Sequence, residues 1–251
     1  MTNILLCGAG GKMGHAVARA VADADNAVIT AGFDINVPAD VDFPVYTSLA
    51  DVKEKVDAII DFSHPSMTNE ILDFAKTTGT PAVICTTGLS GEQMANIEQT
   101  SKEVAVFFSA NMSLGVNLLI DLVKRAAKIL EDNFDIEIIE KHHNQKLDAP
   151  SGTALAIADA IADTVSYEAE YTYDRHSVRK KRDKSEIGIH AVRGGTIVGE
   201  HSVIFAGCDE VIEVKHSAAS KEVFAVGAVK AAEFLKGKPA GLYAMKDLIE
   251  A

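Results

Sequence analysis

The chain has 251 residues, 47% hydrophobic and 24% charged, with a formal net charge of −12. That length is one large domain or two modest ones, the composition is that of a folded globular protein, and the acidic balance excludes nucleic acid and anionic membrane as partners of the surface as a whole. The three cysteines, Cys7, Cys85 and Cys208, lie far apart without Cys-x-x-Cys spacing, which excludes a disulfide scaffold or a zinc site and fits a reducing cytosol. No stretch approaches the ~18 uninterrupted apolar residues of a membrane span, and Met1-Thr2-Asn3 runs into Ile4 without a basic segment, so a cytoplasmic protein is expected.

The first part alternates apolar runs with amphipathic ones, the pattern of βαβ units around a parallel sheet. Strands are expected at 3–7, 27–33, 58–62, 82–86 and 104–109, with helices at 13–22, 68–78 and 91–102. After Asn111 the pattern changes: a longer apolar-faced helix at 116–130, a strand at 135–140 and a helix at 151–165. Residues 186–214 then read as β-structure with period-2 alternation and turns at Gly194-Gly195 and Gly207, an antiparallel hairpin system. The basic run from Arg175 to Lys184 before it reads as a solvated loop, and a helix at 222–236 stops near Gly237 and Pro239.

Gly8-Ala9-Gly10-Gly11-Lys12-Met13-Gly14 follows the first strand directly and opens a helix. It fits G-x-x-G-x-x-G rather than G-x-G-x-x-G, because Met13 holds the third glycine place of the latter. Glycine lets the backbone turn sharply and approach a pyrophosphate, which the N–H groups at the positive end of the helix bind. Asp34, at the end of the second strand and twenty residues past Gly14, supplies the acceptor for ribose hydroxyls. Its charge opposes a 2′-phosphate, which favours NADH over NADPH, with Lys12 as the one basic group in the loop.

Glu140-Lys-His142-His143-Asn-Gln-Lys146-Leu-Asp148-Ala-Pro150-Ser151-Gly152-Thr153-Ala154 crowds two histidines and two lysines at a strand end, just before a helix start. A helix N-terminus with a glycine and two hydroxyls offers N–H donors and a dipole to an anion, and Lys146 with an imidazole could grip a second carboxylate: a pocket for a small dianion. Helix capping is the other reading of Ser151 and Thr153. The adjacent histidines point to opposite faces of a strand and have no third ligand at zinc-like spacing, so no metal is expected.

These residues resemble the dihydrodipicolinate reductase family, also called 4-hydroxy-tetrahydrodipicolinate reductases. The motifs that carry the resemblance are 8–14, Asp61-Phe-Ser-His-Pro65, Thr86-Thr-Gly88, Ser109-Ala-Asn111, 140–154, 194–201, Phe224-Ala-Val-Gly-Ala228 and Gly241-Leu-Tyr243, in order along nearly the whole chain. The resemblance implies an NADH- or NADPH-dependent reductase of the diaminopimelate and lysine pathway that reduces a cyclic unsaturated dicarboxylate. It implies cofactor contacts from Gly8, Ala9, Gly10, Gly11, Lys12, Met13, Asp34, Cys85, Thr86, Thr87, Ser109, Ala110, Asn111 and Met112. His142 matches the acid/base and Lys146 the proton donor, with His143, Ser151, Gly152 and Thr153 on the substrate. The chain departs from the family pattern at Cys85, where glycine is common, at Ile35, where arginine often follows the acidic residue, and at Lys221, where arginine is usual. The expected fold is α/β: a Rossmann-type parallel-sheet domain (1–113 and 222–251), with the return of the last helix implied by the resemblance. Inserted into it is an α+β domain (114–221) with a mixed, largely antiparallel sheet that binds substrate and assembles a homotetramer. A dinucleotide sensor without turnover is the rival reading, and it leaves His142 and Lys146 without a purpose.

Overall fold

In the computed structural model, which describes residues 1–251, the chain opens with β1 (Thr2–Cys7), where Ile4, Leu5, Leu6 and Cys7 are all fully buried. Burial on both faces belongs to the centre of a parallel sheet covered by helices on each side. There follow α1 (Lys12–Ala22), β2 (Ala27–Phe33), β3 (Val45–Tyr46), β4 (Ala58–Asp61), α2 (Thr68–Thr78), β5 (Ala82–Ile84), α3 (Gly91–Thr100) and β6 (Ala105–Phe108). The next elements are α4 (Leu114–Leu130), β7 (Asp135–His142), α5 (Gly152–Ala162), β8 (Glu170–Thr172), β9 (Glu186–Arg193), β10 (Gly199–Ala206) and β11 (Val211–Ala218). The chain closes with α6 (Glu222–Leu235), β12 (Gly241–Tyr243) and α7 (Met245–Ile249).

Two units result, Met1–Leu114 with Glu222–Ala251, and Gly115–Lys221. In the first, seven strands run in the order β12-β6-β5-β4-β1-β2-β3, every pairing parallel. The chain leaves β1 toward β2 on one side and returns to β4 on the other. The switch point of this sheet, where ligands of open α/β sheets bind beyond the strands' carboxyl ends, therefore lies between β1 and β4. α6 packs on α1 and on β4, β5 and β6, and contributes Ala225, Ala228, Val229, Ala231, Ala232 and Leu235 to the core on that face. No helix of the chain is long and apolar enough to cross a membrane.

The second unit has a five-stranded mixed sheet, β11-β10-β7-β9-β8. Ile136 and Ile138 of β7, Ile187 and Ile189 of β9, and Val203 and Phe205 of β10 pack on one face with Leu119 and Val123 of α4 and with Ile157 and Ile161 of α5. The β10–β11 hairpin turns at Gly207 as expected. The hairpin expected at Gly194-Gly195 does not form. β9 and β10 flank β7, parallel and antiparallel to it, so two of the four pairings in this sheet are parallel. β7 brings unpaired backbone groups on both edges as well as buried isoleucines, and the central place satisfies all of them. The five residues 194–198 arch over the carboxyl end of β7, where the Gly194 N–H bonds the His142 carbonyl and the Asn144 N–H bonds that of Gly195.

The basic run is an irregular and mostly exposed segment, as expected, but Arg175 and Arg182 within it are half-buried. Arg182 donates to Glu137 and Asp135 and to the carbonyls of Ile136, Asp183 and Glu186, while Arg175 pairs with the buried Glu186. Carboxylates at the start of β7 and β9 need cations, and the run supplies them.

Candidate functional site

In the first unit Gly8 has φ +79°, and a side-chain carbon there would stand 2.7 Å from the Phe62 carbonyl oxygen at the end of β4. Only glycine allows β1 to turn this closely beside its neighbour. Gly11 is the N-cap of α1 and has no side chain to offer, so the first-turn N–H groups of that helix are left to an outside acceptor. No acidic residue stands in that turn. Gly10, Gly11 and Lys12 are exposed, Met13 is half-buried and Ala9 is buried. Asp34, just past β2, accepts from the Gly10 N–H at 2.9 Å and from the Asn36 N–H at 3.2 Å, which ties the loop to the second strand. A cleft lined by Gly8, Gly11, Asp34, Phe62, Ser63 and His64 lies over the switch point. Bare backbone donors, a positive helix end and a carboxylate one strand away fit a dinucleotide's pyrophosphate and ribose.

The remaining expected cofactor residues follow β5 and β6. Thr86 is buried and donates its hydroxyl to Asp61 at 2.8 Å, and Ser63 donates to the same carboxylate at 2.6 Å. Burial pushes the Asp61 carboxyl up, and these hydrogen bonds only partly counter that. Thr87 and Ala110 are exposed, and Ser109 and Asn111 lock their turn through Ser109 Oγ. Cys85 and Met112 face the core, and burial, then the charge of Asp61, raises the Cys85 thiol. A ligand contact at these two positions falls to the backbone.

In the second unit the charged residues gather on one strand row. The Glu140 side chain is completely buried, yet it accepts from His142 Nδ1 at 2.7 Å, from Arg193 Nη1 and Nη2 at 2.7 and 2.6 Å, and from the Ser151 N–H at 2.9 Å. Burial alone would raise this carboxyl; the hydrogen bonds from Arg193, His142 and Ser151 together outweigh it and hold Glu140 below the usual range. Arg193 also donates to the Asp148 carbonyl, and Lys146 Nζ lies 2.9 Å from Asp148 Oδ1. That ammonium holds the Asp148 carboxyl down.

Ser151 caps α5, accepting from the Ala154 N–H at 3.2 Å, and its hydroxyl lies 3.2 Å from His201 Nε2. Capping is thus part of what Ser151 does, and it leaves Gly152 exposed and Thr153 half-buried at the helix start. His201 packs edge to face on His142 with ring centroids 5.3 Å apart. Burial, then the neighbouring His142, pushes His201 down to about 4, so it is a neutral ring. His142 is buried and His143 half-buried.

The structure therefore brings His142, Lys146 and Ser151 into one bonded cluster, and it adds three members that the sequence reading left without a role: Glu140, Arg193 and His201. Glu140 had a signal, since residues two apart on a strand share a face. His201 closes the motif 194–201 and Arg193 stands just before it, but their contacts with Ser151 and Glu140 come only from strand pairing, across 50 and 53 residues.

Family models describe residues 2–112 as the N-terminus and residues 115–249 as the C-terminus of dihydrodipicolinate reductase. The chain is 54% identical over 251 residues to a 4-hydroxy-tetrahydrodipicolinate reductase of Caldanaerobacter subterraneus subsp. tengcongensis, covering 100% of this chain and 99% of the relative. It is 48% identical over 238 residues to that of Exiguobacterium sibiricum, covering 95% and 93%. It also resembles the solved structure of a dipicolinate-bound dihydrodipicolinate reductase from Paenisporosarcina sp. TG-14, with a TM-score of 0.83, 25% identity and 97% of each chain covered.

Proposed function

The chain belongs to the dihydrodipicolinate reductase family, NAD(P)H-dependent oxidoreductases of the diaminopimelate and lysine pathway, and from that premise we propose how its residues divide the reaction. The substrate is 4-hydroxy-tetrahydrodipicolinate, a small cyclic dicarboxylate: its 4-hydroxyl leaves as water to give the conjugated ring, and one hydride and one proton then give tetrahydrodipicolinate. Residues 1–113 and 222–251 hold the nicotinamide cofactor, with Gly8 to Met13 on its pyrophosphate, Asp34 on the ribose, and 85–87 and 109–112 along the cleft. Residues 114–221 hold substrate. When bound, the cofactor supplies hydride to the conjugated ring.

Everything else falls to backbone and side-chain groups of this chain. The N–H groups at the start of α5, with Gly152 bare of a side chain, receive one carboxylate, and Thr153 adds its hydroxyl. His143 and Lys146 receive the other. The proton that completes reduction comes from Lys146 Nζ or from His142 Nε2, the ionisable atoms of this segment that a general acid requires. The observation that carries the reading is the bonded run Lys146–Asp148–Arg193–Glu140, which ends on both His142 and the N-cap of α5. Proton source and anion site are thereby one rigid object. Free cysteines support a reducing cytoplasm as the setting.

The test is loss of NADH absorbance on freshly made synthase product. Lys146→Ala and His142→Ala should each lower kcat by about 10² to 10⁴ fold with NADH affinity unchanged, and Thr153→Ala should mostly raise KM. Near wild-type kcat in both alanine variants, correctly folded, would leave the segment as a binding site alone.

A further inference from the structure

Glu140 is given no contact with substrate, yet its side chain is completely buried and satisfied from four directions, His142 and the N-cap of α5 among them. Oε2 accepts from His142 Nδ1 and Arg193 Nη1, and Oε1 from Arg193 Nη2 and the Ser151 N–H. A carboxylate has about four acceptor sites, so this one is full, and rotating it breaks at least two charge-assisted bonds. It cannot swing away from the imidazole.

An ionised carboxylate only accepts. The imidazole nitrogen 2.7 Å from it must therefore carry the hydrogen, and a neutral His142 then has its lone pair on Nε2. Glycine at 199 leaves room beside Nε2, since a side-chain carbon there would lie 3.1 Å from it. The His201 ring packed edge to face fixes the tilt of the imidazole from β10. The charged and titratable groups around His142 are Arg193 on β9, His201 on β10 with His216 paired to it on β11, and Lys146 and Asp148 on the segment after β7. His201 is neutral through the working range, and the Arg193 guanidinium cancels the charge of Glu140. The imidazole is thus oriented by a carboxylate whose charge is shared with a guanidinium.

We propose that Glu140, clamped by Arg193, is a positioning residue that acts through His142, keeping its proton on Nδ1 so that Nε2 is the atom that exchanges a proton with substrate. This rests on the reading of His142 as the acid/base. The same carboxylate holds the Ser151 N–H, so it also sets the distance from that imidazole to the anion site at the start of α5. The competing account is a staple that joins α5 to β7 and affects folding only.

The two accounts differ in a spectroscopic signature. The full-length chain labelled with ¹⁵N-histidine is observed at pH 8 by long-range ¹H–¹⁵N correlation, with His142 assigned by loss of its signals in His142→Gln. Wild type should show the Nδ1–H tautomer. In Glu140→Gln the amide N–H can face Nδ1 and turn it into an acceptor, so the tautomer inverts to Nε2–H. Its kcat should fall at least tenfold, toward the ~10⁴ that a comparable carboxylate-to-amide change costs an orienting residue, with NADH affinity unchanged. Glu140→Asp, which keeps the carboxylate, should retain Nδ1–H and recover at least tenfold of the loss. An Nε2–H tautomer in wild type overturns the proposal, as does a folded Glu140→Gln variant within tenfold of wild-type kcat. Where Glu140→Gln does not fold, the wild-type tautomer decides. The acid/base reading fails separately, if His142→Ala keeps its kcat whichever tautomer wild type shows.

Discussion

Asp34 gives one oxygen to the Gly10 N–H and the other to the Asn36 N–H, so its place beside the loop is fixed before any ligand arrives. A ribose hydroxyl can share these oxygens; a 2′-phosphate brings a second negative charge, at a cost of roughly 1 to 3 kcal/mol that an exposed Lys12 softens. NADH should therefore bind at least as well as NADPH, and calorimetry that finds NADPH more than tenfold tighter would overturn this. His201 makes a prediction of the opposite kind, about folding. Buried neutral with a pKa near 4, it takes up a proton near 6.5 once the chain unfolds. The unfolded state then binds more protons between those values, so stability falls as pH drops from about 6.5 to 4, by about 3 kcal/mol for this residue. His216 shifts in the same direction. Chemical denaturation of wild type and His201→Asn at pH 7 and 4.5 should show a shallower fall in the variant; equal falls would assign the loss elsewhere. His142, Lys146 and the glycine loop were legible because each lies in a run whose neighbours share its chemistry. The contacts of Arg193 and His201 were not, because nothing local marks an arginine that answers a carboxylate three strands' length away in sequence.

Elements whose own pattern dictates them came through within one or two residues at most ends: β2 and α2 lie at the bounds expected, since alternation and helical spacing are complete within them. The two-residue β3 and three-residue β8 and β12 had no pattern to read, being strands only by virtue of the neighbour each pairs with. The arch 194–198 and the anchoring of the strap 175–184 were hidden for a related reason. A glycine pair promises a turn without saying which strand stands on the other side, and a mostly solvated basic run does not show which of its arginines meets an acidic partner. Arg182 is the keystone of that strap, holding Glu137, Asp135 and three carbonyls with its side chain 16% exposed. Arg182→Ala should destabilise the protein by about 1 to 2 kcal/mol, since it takes the donor from several part-buried acceptors at once. Arg179→Ala and Lys181→Ala, both on exposed residues, should stay within about 0.5 kcal/mol. Denaturant midpoints of the three variants check the contrast, and equal shifts would deny Arg182 its anchoring role.

For the whole molecule, β11 is a free sheet edge on which Val211 is 65% and Ile212 40% exposed. Unpaired edges and apolar surface of this kind are generally covered, and we expect four copies to do it. Light scattering at micromolar protein should give a tetramer; a monomer alone would sink the idea. The order of the units along the chain has its own consequence, for a nascent polypeptide leaving the ribosome. All strands and helices of the second unit lie in one uninterrupted stretch, Gly115–Lys221, whereas the first unit is split around it. Of the twenty-one buried residues in the core cluster beneath α1, seven come from Ala225 onward, and β12 is the last strand to reach its place, beside β6. While those residues are still being synthesised, α1 has no α6 to pack on and β6 has an open edge. The middle of the gene product can thus be finished while its beginning waits for its end, and in that interval the exposed apolar face of the half-built sheet is the surface a chaperone would meet.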